Sequence, residues 1–399
     1  MTHSSILEME PLKDPLSHVN SLAYSRSTNS TGDTEACYYI ENQLKSVGIK
    51  SKYEYFSFDT PFRILIRLIY IITLTYLVLF KLLLIIAFYF AIKYLFATTR
   101  KLSLTRKDDS KNLIATIPAK HKQKKPPVAI LTAHYDSFSS NLPYRIQNIA
   151  FFLFRIIIFP YFAITMGFSI IIIAGPTIPY LSGLNLPQLI ITSSIFEFAV
   201  VLIIFLLIYD THKSKGAIDN ASGVAVLIEI AKLIKKDPTE NYDVIVMFPG
   251  TEEWGLIGSK RYVKRNREFL AETYDLDRSF NINIDMVGSY VGMIQKKTLF
   301  KKQKPKQPPI YSIIDEVSED LNIKVTAHHH FINPKTDHKS FKKLARKTKS
   351  KFQVICFHSD KDSKYIHSRR DTPDKCNSEV LSNAVSLIFT TLKTIDLKI

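Results

Sequence analysis

Apolar and polar positions follow several distinct rhythms along this chain. Residues 36–47 place apolar side chains at helical spacing, with Gly48 positioned to stop the helix. Residues 52–58 alternate as a strand does. Residues 62–96 then form an apolar block with only Arg67, Lys81 and Lys93 as charges in its interior. One membrane helix takes roughly 20 apolar residues. The block is therefore too long for one simple span and barely long enough for two, with Lys81 marking a tight reversal. Residues 128–133 are a buried-strand run ending on His134. Residues 156–174 and 189–209 read as two more candidate spans, joined by a Pro- and Gly-rich loop at 175–187. From residue 211 onward, strand runs at 242–248, 280–284 and 352–357 alternate with helical patterns at 223–236 and 378–392. That alternation predicts an α/β sheet. Residues 296–306 read as a basic, Pro-containing loop, and no internal repeat is apparent.

The pattern predicts a catalytic domain assembled from residues 1–60, 100–140 and 211–399. Two membrane segments interrupt it, a hairpin at 61–98 and a transmembrane hairpin at 146–209. Residues on either side of 61–98 must share one face of the membrane, so that segment crosses twice or lies in the interface. Two crossings give about four spans in all.

Charge adds an orientation. The net charge is +17, and the basic residues crowd beside the apolar blocks. No nucleic-acid module is recognisable, so the basic balance points to a lipid bilayer surface. Arg63, Arg100, Lys101, Arg106, Lys107, Arg145, Lys213 and Lys215 flank the spans on the catalytic side, whereas loop 175–187 carries no charge. Positive-inside logic places the catalytic domain in the cytosol. Cys37, Cys356 and Cys376 are sparse and odd in number, which suits a reducing compartment. The polar start, residues 1–50, lacks a basic-then-apolar signal pattern. Arg155 and Glu197 border or enter spans, and a pairing across the hairpin or snorkelling accounts for both.

The candidate chemistry is weak residue by residue and strong as a pattern. His134 and Asp136 lie in AHYDS, where a strand-end His is commonly structural. Asp219 lies in GAIDNASG, where it could cap the helix expected near Ala221. The pair Glu252–Glu253 is harder to explain this way. Adjacent carboxylates after a buried strand repel one another unless a cation is near. Asp285 ends another apolar strand, and His367 stands in YIHSRRDTPD beside Asp371 and Asp374. In open α/β sheets, sites form outside the carboxyl ends of strands. Two His and three carboxylates suit zinc, with cobalt or manganese also compatible. Five ligands exceed one catalytic zinc and suffice for two ions about 3.5–4 Å apart that share a carboxylate.

The segments AHYDS, DNASGV, TEEWGLIGS, NIDMVGS and IHSRRDTPD, in that order, resemble the dizinc aminopeptidase family. That family includes bacterial leucyl aminopeptidases, yeast aminopeptidase Y, glutamate carboxypeptidase and the glutaminyl cyclases. The resemblance implies its phosphorylase/hydrolase-like fold, a mixed central sheet flanked by helices, here with inserted transmembrane helices. It implies two Zn2+: His134 and Asp285 on one, Glu253 and His367 on the other, Asp219 bridging. Glu252 is then the general base and Asp136 orients His134. TDHKSF resembles the substrate-side loop, so Asp337 and His338 are expected near a peptide substrate. One departure is large. Relatives keep the first His and the bridging Asp close in sequence, whereas here two candidate spans separate His134 from Asp219. A hairpin returning near its start would keep the site intact and bring its mouth near the bilayer.

The reading expected is thus a membrane-bound aminopeptidase. A glutaminyl cyclase or carboxypeptidase of the same fold is the enzymatic alternative, and an inactive receptor or scaffold the non-enzymatic one. Intact ligands and base count against the scaffold. The sequence sets no oligomeric state.

Overall fold

A computed structural model describes residues 14–58, 108–144, 146–147, 149, 210–296, 309–330 and 334–398. The expected spans at 62–96, 156–174 and 189–209 lie outside the described residues, as do loop 175–187 and residues 297–306.

Two helices come first among the described residues. Helix α1 (Pro15–Leu22) starts with proline, and Asp14 accepts from the Leu16 N–H at 3.0 Å. Helix α2 (Thr31–Lys45) is capped by Ser30, whose Oγ accepts from the Asp33 N–H at 3.1 Å. These caps satisfy amides that the first turn leaves unpaired. Ala36, Cys37, Ile40 and Leu44 of α2 form its buried stripe. The helix starts five residues before its apolar pattern, because the cap and first turn are polar.

The sheet has eight strands: β1 (Ser51–Phe58), β2 (Asp108–Ile117), β3 (Val128–Thr132), β4 (Asp243–Phe248), β5 (Phe280–Ile284), β6 (Val291–Lys296), β7 (Val325–His330) and β8 (Gln353–Phe357). They form one mixed sheet in the order β1-β2-β4-β3-β5-β8-β6-β7. The central four, β4-β3-β5-β8, are mutually parallel. Strand β2 joins β4, and β6 joins β8, antiparallel. All five residues of β3 and of β5 are buried. Continuous apolar runs of this kind belong to parallel strands covered on both faces. Parallel alignment also delivers the residues after each strand to one edge of the sheet.

The covering helices are α3 (Ser222–Lys236), α4 (Ile257–Thr273), α5 (Pro309–Asp320), α6 (His338–Thr348) and α7 (Ser378–Lys398). Helix α3 is buried almost all round, including Glu229 and Lys232. The buried Glu229 carboxylate is met by His18 at 2.8 Å and Lys232 at 2.9 Å. Helix α4 buries only Gly258, Ser259, Tyr262, Val263 and Leu270, too thin a stripe to be seen in its basic sequence. Among the described residues, α7 is the one helix long and apolar enough to cross a membrane. It is a core helix here, since 67% of its apolar window is buried. Lys296, expected in a loop, closes β6 instead.

The chain divides into two compact units, one of Met1–Phe56, Asp109–Ser139 and Asp210–Ile399, the other of Ser57–Asp108 and Ser140–Tyr209. Within the first unit, the two ends of the longer interruption are tied together. Ser139 N–H donates to Asp210 Oδ1 at 3.2 Å, and Thr211 N–H donates to the Ser139 carbonyl at 2.8 Å. At this interruption the chain leaves and re-enters the unit at one point.

Candidate metal centre

Three ligand positions are set directly by the sheet. His134 lies just beyond β3, Glu252 and Glu253 just beyond β4, and Asp285 directly after β5. Asp219 comes from the turn Ala217–Ala221 that leads into α3. His367 comes from the stretch after β8 and has φ 55°. The capping role open to Asp219 is not the one it plays. No side chain caps α3 at its first residue; instead Asn220 Oδ1 accepts from Gly223 N–H at 3.1 Å and from Met286 N–H at 3.0 Å. Asn220 thereby stitches the Asp219 turn to the Asp285 turn, and the Asp219 carboxylate stays free to face the imidazoles.

Asp219 stands between two halves. Its Oδ1 is 3.1 Å from His134 Nε2, and its Oδ2 is 3.4 Å from His367 Nε2. Asp285 Oδ1 lies 3.7 Å from His134 Nε2. Glu253 Oε2 lies 3.0 Å from His367 Nε2. The donor atoms of His134, Asp219 and Asp285 all fall within 4.8 Å of one another, as do those of Asp219, Glu253 and His367. The structure thus brings these five side chains together as two sets that share one carboxylate.

Electrostatics show how far this cluster depends on positive charge. Burial opposes a proton on His134, but Glu252, Asp136, Asp219 and Asp285 outweigh it and raise its pKa well above the usual range. Burial likewise opposes one on His367, yet Glu253 and Asp219 push it up to about 10. Burial works against ionisation of Asp219, and the two imidazoles still hold it well below the carboxylate range. Glu253 is pushed up to about 7 by burial, with His367 opposing. Its Oε1 is buried and accepts no hydrogen bond. An orphaned oxygen on a carboxylate beside the His367 imidazole fits a cation, and the mixed N and O donors fit zinc.

Glu252 belongs to neither donor set. Burial raises its pKa well above the carboxylate range; Asp337, Asp285 and Glu253 add to this and His134 opposes it. Asp136 does more than the sequence suggested. Its Oδ1 lies 3.5 Å from His134 Nδ1, slightly farther than its own carbonyl at 3.2 Å. Its two carboxylate oxygens accept the N–H groups of Glu252 at 3.0 Å and Glu253 at 3.1 Å. One buried carboxylate thus fixes both glutamates.

Asp337 is 1% exposed, and neither of its oxygens accepts a hydrogen bond. Burial pushes it up to about 7, against the pull of His134. His338 is as deeply buried, and its Nδ1 lies 2.5 Å from Thr336 Oγ1. Phe138 packs edge-on against His367 and Trp254, with centroids 5.3 and 5.4 Å away.

Sequence reasoning missed Arg26 and gave Asp371 only as an acidic neighbour. Both are fully buried behind the site. Arginine is rarely buried completely, and SRST carries no mark that it should be. The spacing of Asp371 after His367 was the available signal.

Residues 208–392 match the model of Peptidase family M28. The chain is 43% identical over 77 residues to aminopeptidase YwaD of Bacillus subtilis (strain 168), a match covering 19% of this chain and 16% of that enzyme. Its fold is similar to an aminopeptidase from Aneurinibacillus sp. strain AM-1, with TM-score 0.59, 16% identity, and 98% of this chain and 95% of that one covered. It is also similar to a glutaminyl cyclase from an Acidobacteriales bacterium, with TM-score 0.54, 14% identity and 98% of both chains covered. Fold likeness therefore extends to both chemistries.

Proposed function

We propose that this chain, whose residues 208–392 match the model of Peptidase family M28, is a dizinc metallo-aminopeptidase held in a membrane. The observation that carries the reading is the placement of Asp219. Its two oxygens face His134 and His367 separately, at 3.1 and 3.4 Å. One shared carboxylate with a His and an acid on either side suits two ions better than one.

His134 and Asp285 would hold one zinc, Glu253 and His367 the other, and Asp219 both. Such a pair, when bound, activates a water and polarises a carbonyl. The remaining steps belong to the protein. Glu252 takes a proton from the attacking water at its carboxylate and returns it to the leaving amine. Asp136 keeps the Glu252 backbone still during both. Asp337 offers an unpaired carboxylate near Glu252, which suits the cationic α-amine of a peptide, and His338 supports that loop. This acidic surplus favours a free N-terminus over a C-terminal carboxylate.

The membrane part rests on the apolar blocks at 62–96, 156–174 and 189–209. The joined ends at Ser139 and Asp210 make the longer insertion compatible with an intact site. The Lys and Arg flanking the blocks favour a multi-pass chain with its catalytic unit in the cytosol.

The test is purification in detergent, metal analysis, and a screen of aminoacyl reporter substrates against Glu252→Gln. Two zinc ions per chain and hydrolysis abolished by the variant are expected. Wild-type hydrolysis by Glu252→Gln would overturn the mechanism, and one zinc with cyclisation of N-terminal Gln would favour the cyclase.

A further inference from the structure

Asp219 can bridge only if its backbone is held, and the chain holds it by a guanidinium on one side and a carboxyl group on the other. Arg26 lies in the loop between α1 and α2 and is fully buried. Its guanidinium donates to the carbonyls of Lys215 at 2.9 Å and Gly216 at 2.7 Å. It also donates to the Tyr135 carbonyl at 2.8 Å, between His134 and Asp136, and to those of Tyr24 and Leu22. Asp371, also fully buried, accepts from the N–H groups of Ile218 at 2.6 Å and Asp219 at 3.3 Å. The stretch 215–219 is therefore gripped at its carbonyls by a guanidinium and at its amides by a carboxyl group.

Two further features agree. Ser137 closes a reciprocal pair with Arg26, accepting from the Arg26 N–H at Oγ (2.9 Å) and donating its own N–H to the Arg26 carbonyl (3.1 Å). Gly216 has φ 57°, and a Cβ there would meet Ser137 Cβ at 2.6 Å and Arg26 Nη2 at 2.7 Å. The close approach of guanidinium and backbone leaves room for glycine alone. Neither Arg26 nor Asp371 belongs to the two donor sets.

We propose that Arg26 and Asp371 are paired positioning residues that clamp residues 215–219 and so set the direction of each Asp219 oxygen. The proposal rests on the dizinc reading. Charge-assisted bonds make the clamp stiff, and the planar fork of arginine spans several carbonyls where an ammonium cannot. Without the clamp, Asp219 turns toward one half-site and the other keeps two ligands.

The test uses the full chain in detergent, stripped with chelator and titrated with Zn2+, with bound metal counted after dialysis. Wild type is expected to hold two ions. Arg26→Ala is expected to lose the second, with affinity down about tenfold to a hundredfold, the usual effect of groups behind a metal ligand. Millimolar guanidinium should restore the second ion, and Arg26→Lys should not. Asp371→Asn, nearly the same shape, should weaken the same ion and carries the test if Arg26→Ala does not fold. Retention of two tight ions by Arg26→Ala or by Asp371→Asn overturns the clamp. So does loss of both ions from a folded Arg26→Ala chain that guanidinium cannot restore. Fewer than two ions in wild type overturns the dizinc reading itself and shows in that arm alone.

Discussion

The front and the back of the metal centre are built on opposite terms. At the front, Glu253 and both oxygens of Asp337 leave buried acceptors unpaired, and two imidazoles sit among surplus carboxylates. At the back, Asp136 accepts from two amides, Asp371 from two more, and Arg26 commits its guanidinium to backbone carbonyls. The back is complete without a ligand; the front is not. A buried polar group without a partner costs free energy, so a front of this kind is stable only with a cation or protons in place. Rigidity behind and unmet charge ahead is how a site is organised before its metal arrives.

The largest effect that would break this comparison is chemical. Glu252→Gln keeps the shape of the front and removes its base, and hydrolysis should fall by about 10²–10⁴-fold. Steady-state assays on reporter substrates check this, and a change under tenfold would contradict the role. Next comes the back. Asp136→Asn replaces an acceptor of two amides with a group that can offer only one oxygen, so zinc affinity should drop about 10–100-fold. Competition with a chromophoric chelator would measure it. An unchanged affinity would mean that the back does not govern the front.

Proton release sharpens the contrast further. In the metal-free site His367 is pushed up to about 10, and His134 is raised as well, so both carry protons at neutral pH. A ligand imidazole must be neutral, so zinc binding must expel them. Affinity should therefore rise with pH up through about 10, the range in which His367 gives up its proton. Titration calorimetry in buffers of differing ionisation enthalpy should report at least two protons per chain, with Glu253, pushed up to about 7, adding part of a third; buffer-independent heat would refute this. The smallest effect is a control. Lys343 on α6 is exposed and has no ion-pair partner among the described residues, so Lys343→Ala should leave rate and metal affinity within assay error.

Much of the front was legible in the sequence because its causes are local. Strands β3, β4, β5 and β8 are apolar runs, and parallel pairing carries the residues beyond each strand to one edge. His134, Glu252, Glu253 and Asp285 could therefore be placed together from the sequence alone. Of the back, Asp136 was legible but Arg26 was not, since Arg26 meets residues 135 and 215–216, which are remote in sequence. The polar helix α4 escaped notice for the related reason that Ser259 and Gly258 fill core positions where apolar residues are expected. Helix α7 shows the reverse, since composition suitable for a membrane span is used for a core.

The most direct test of the shared Asp219 is zinc-edge X-ray absorption on the reloaded full chain. The account predicts a zinc–zinc scattering shell at about 3.5–4 Å, the separation of ions bridged by one carboxylate and a water. A spectrum with light N and O ligands alone, at full zinc occupancy, would contradict it.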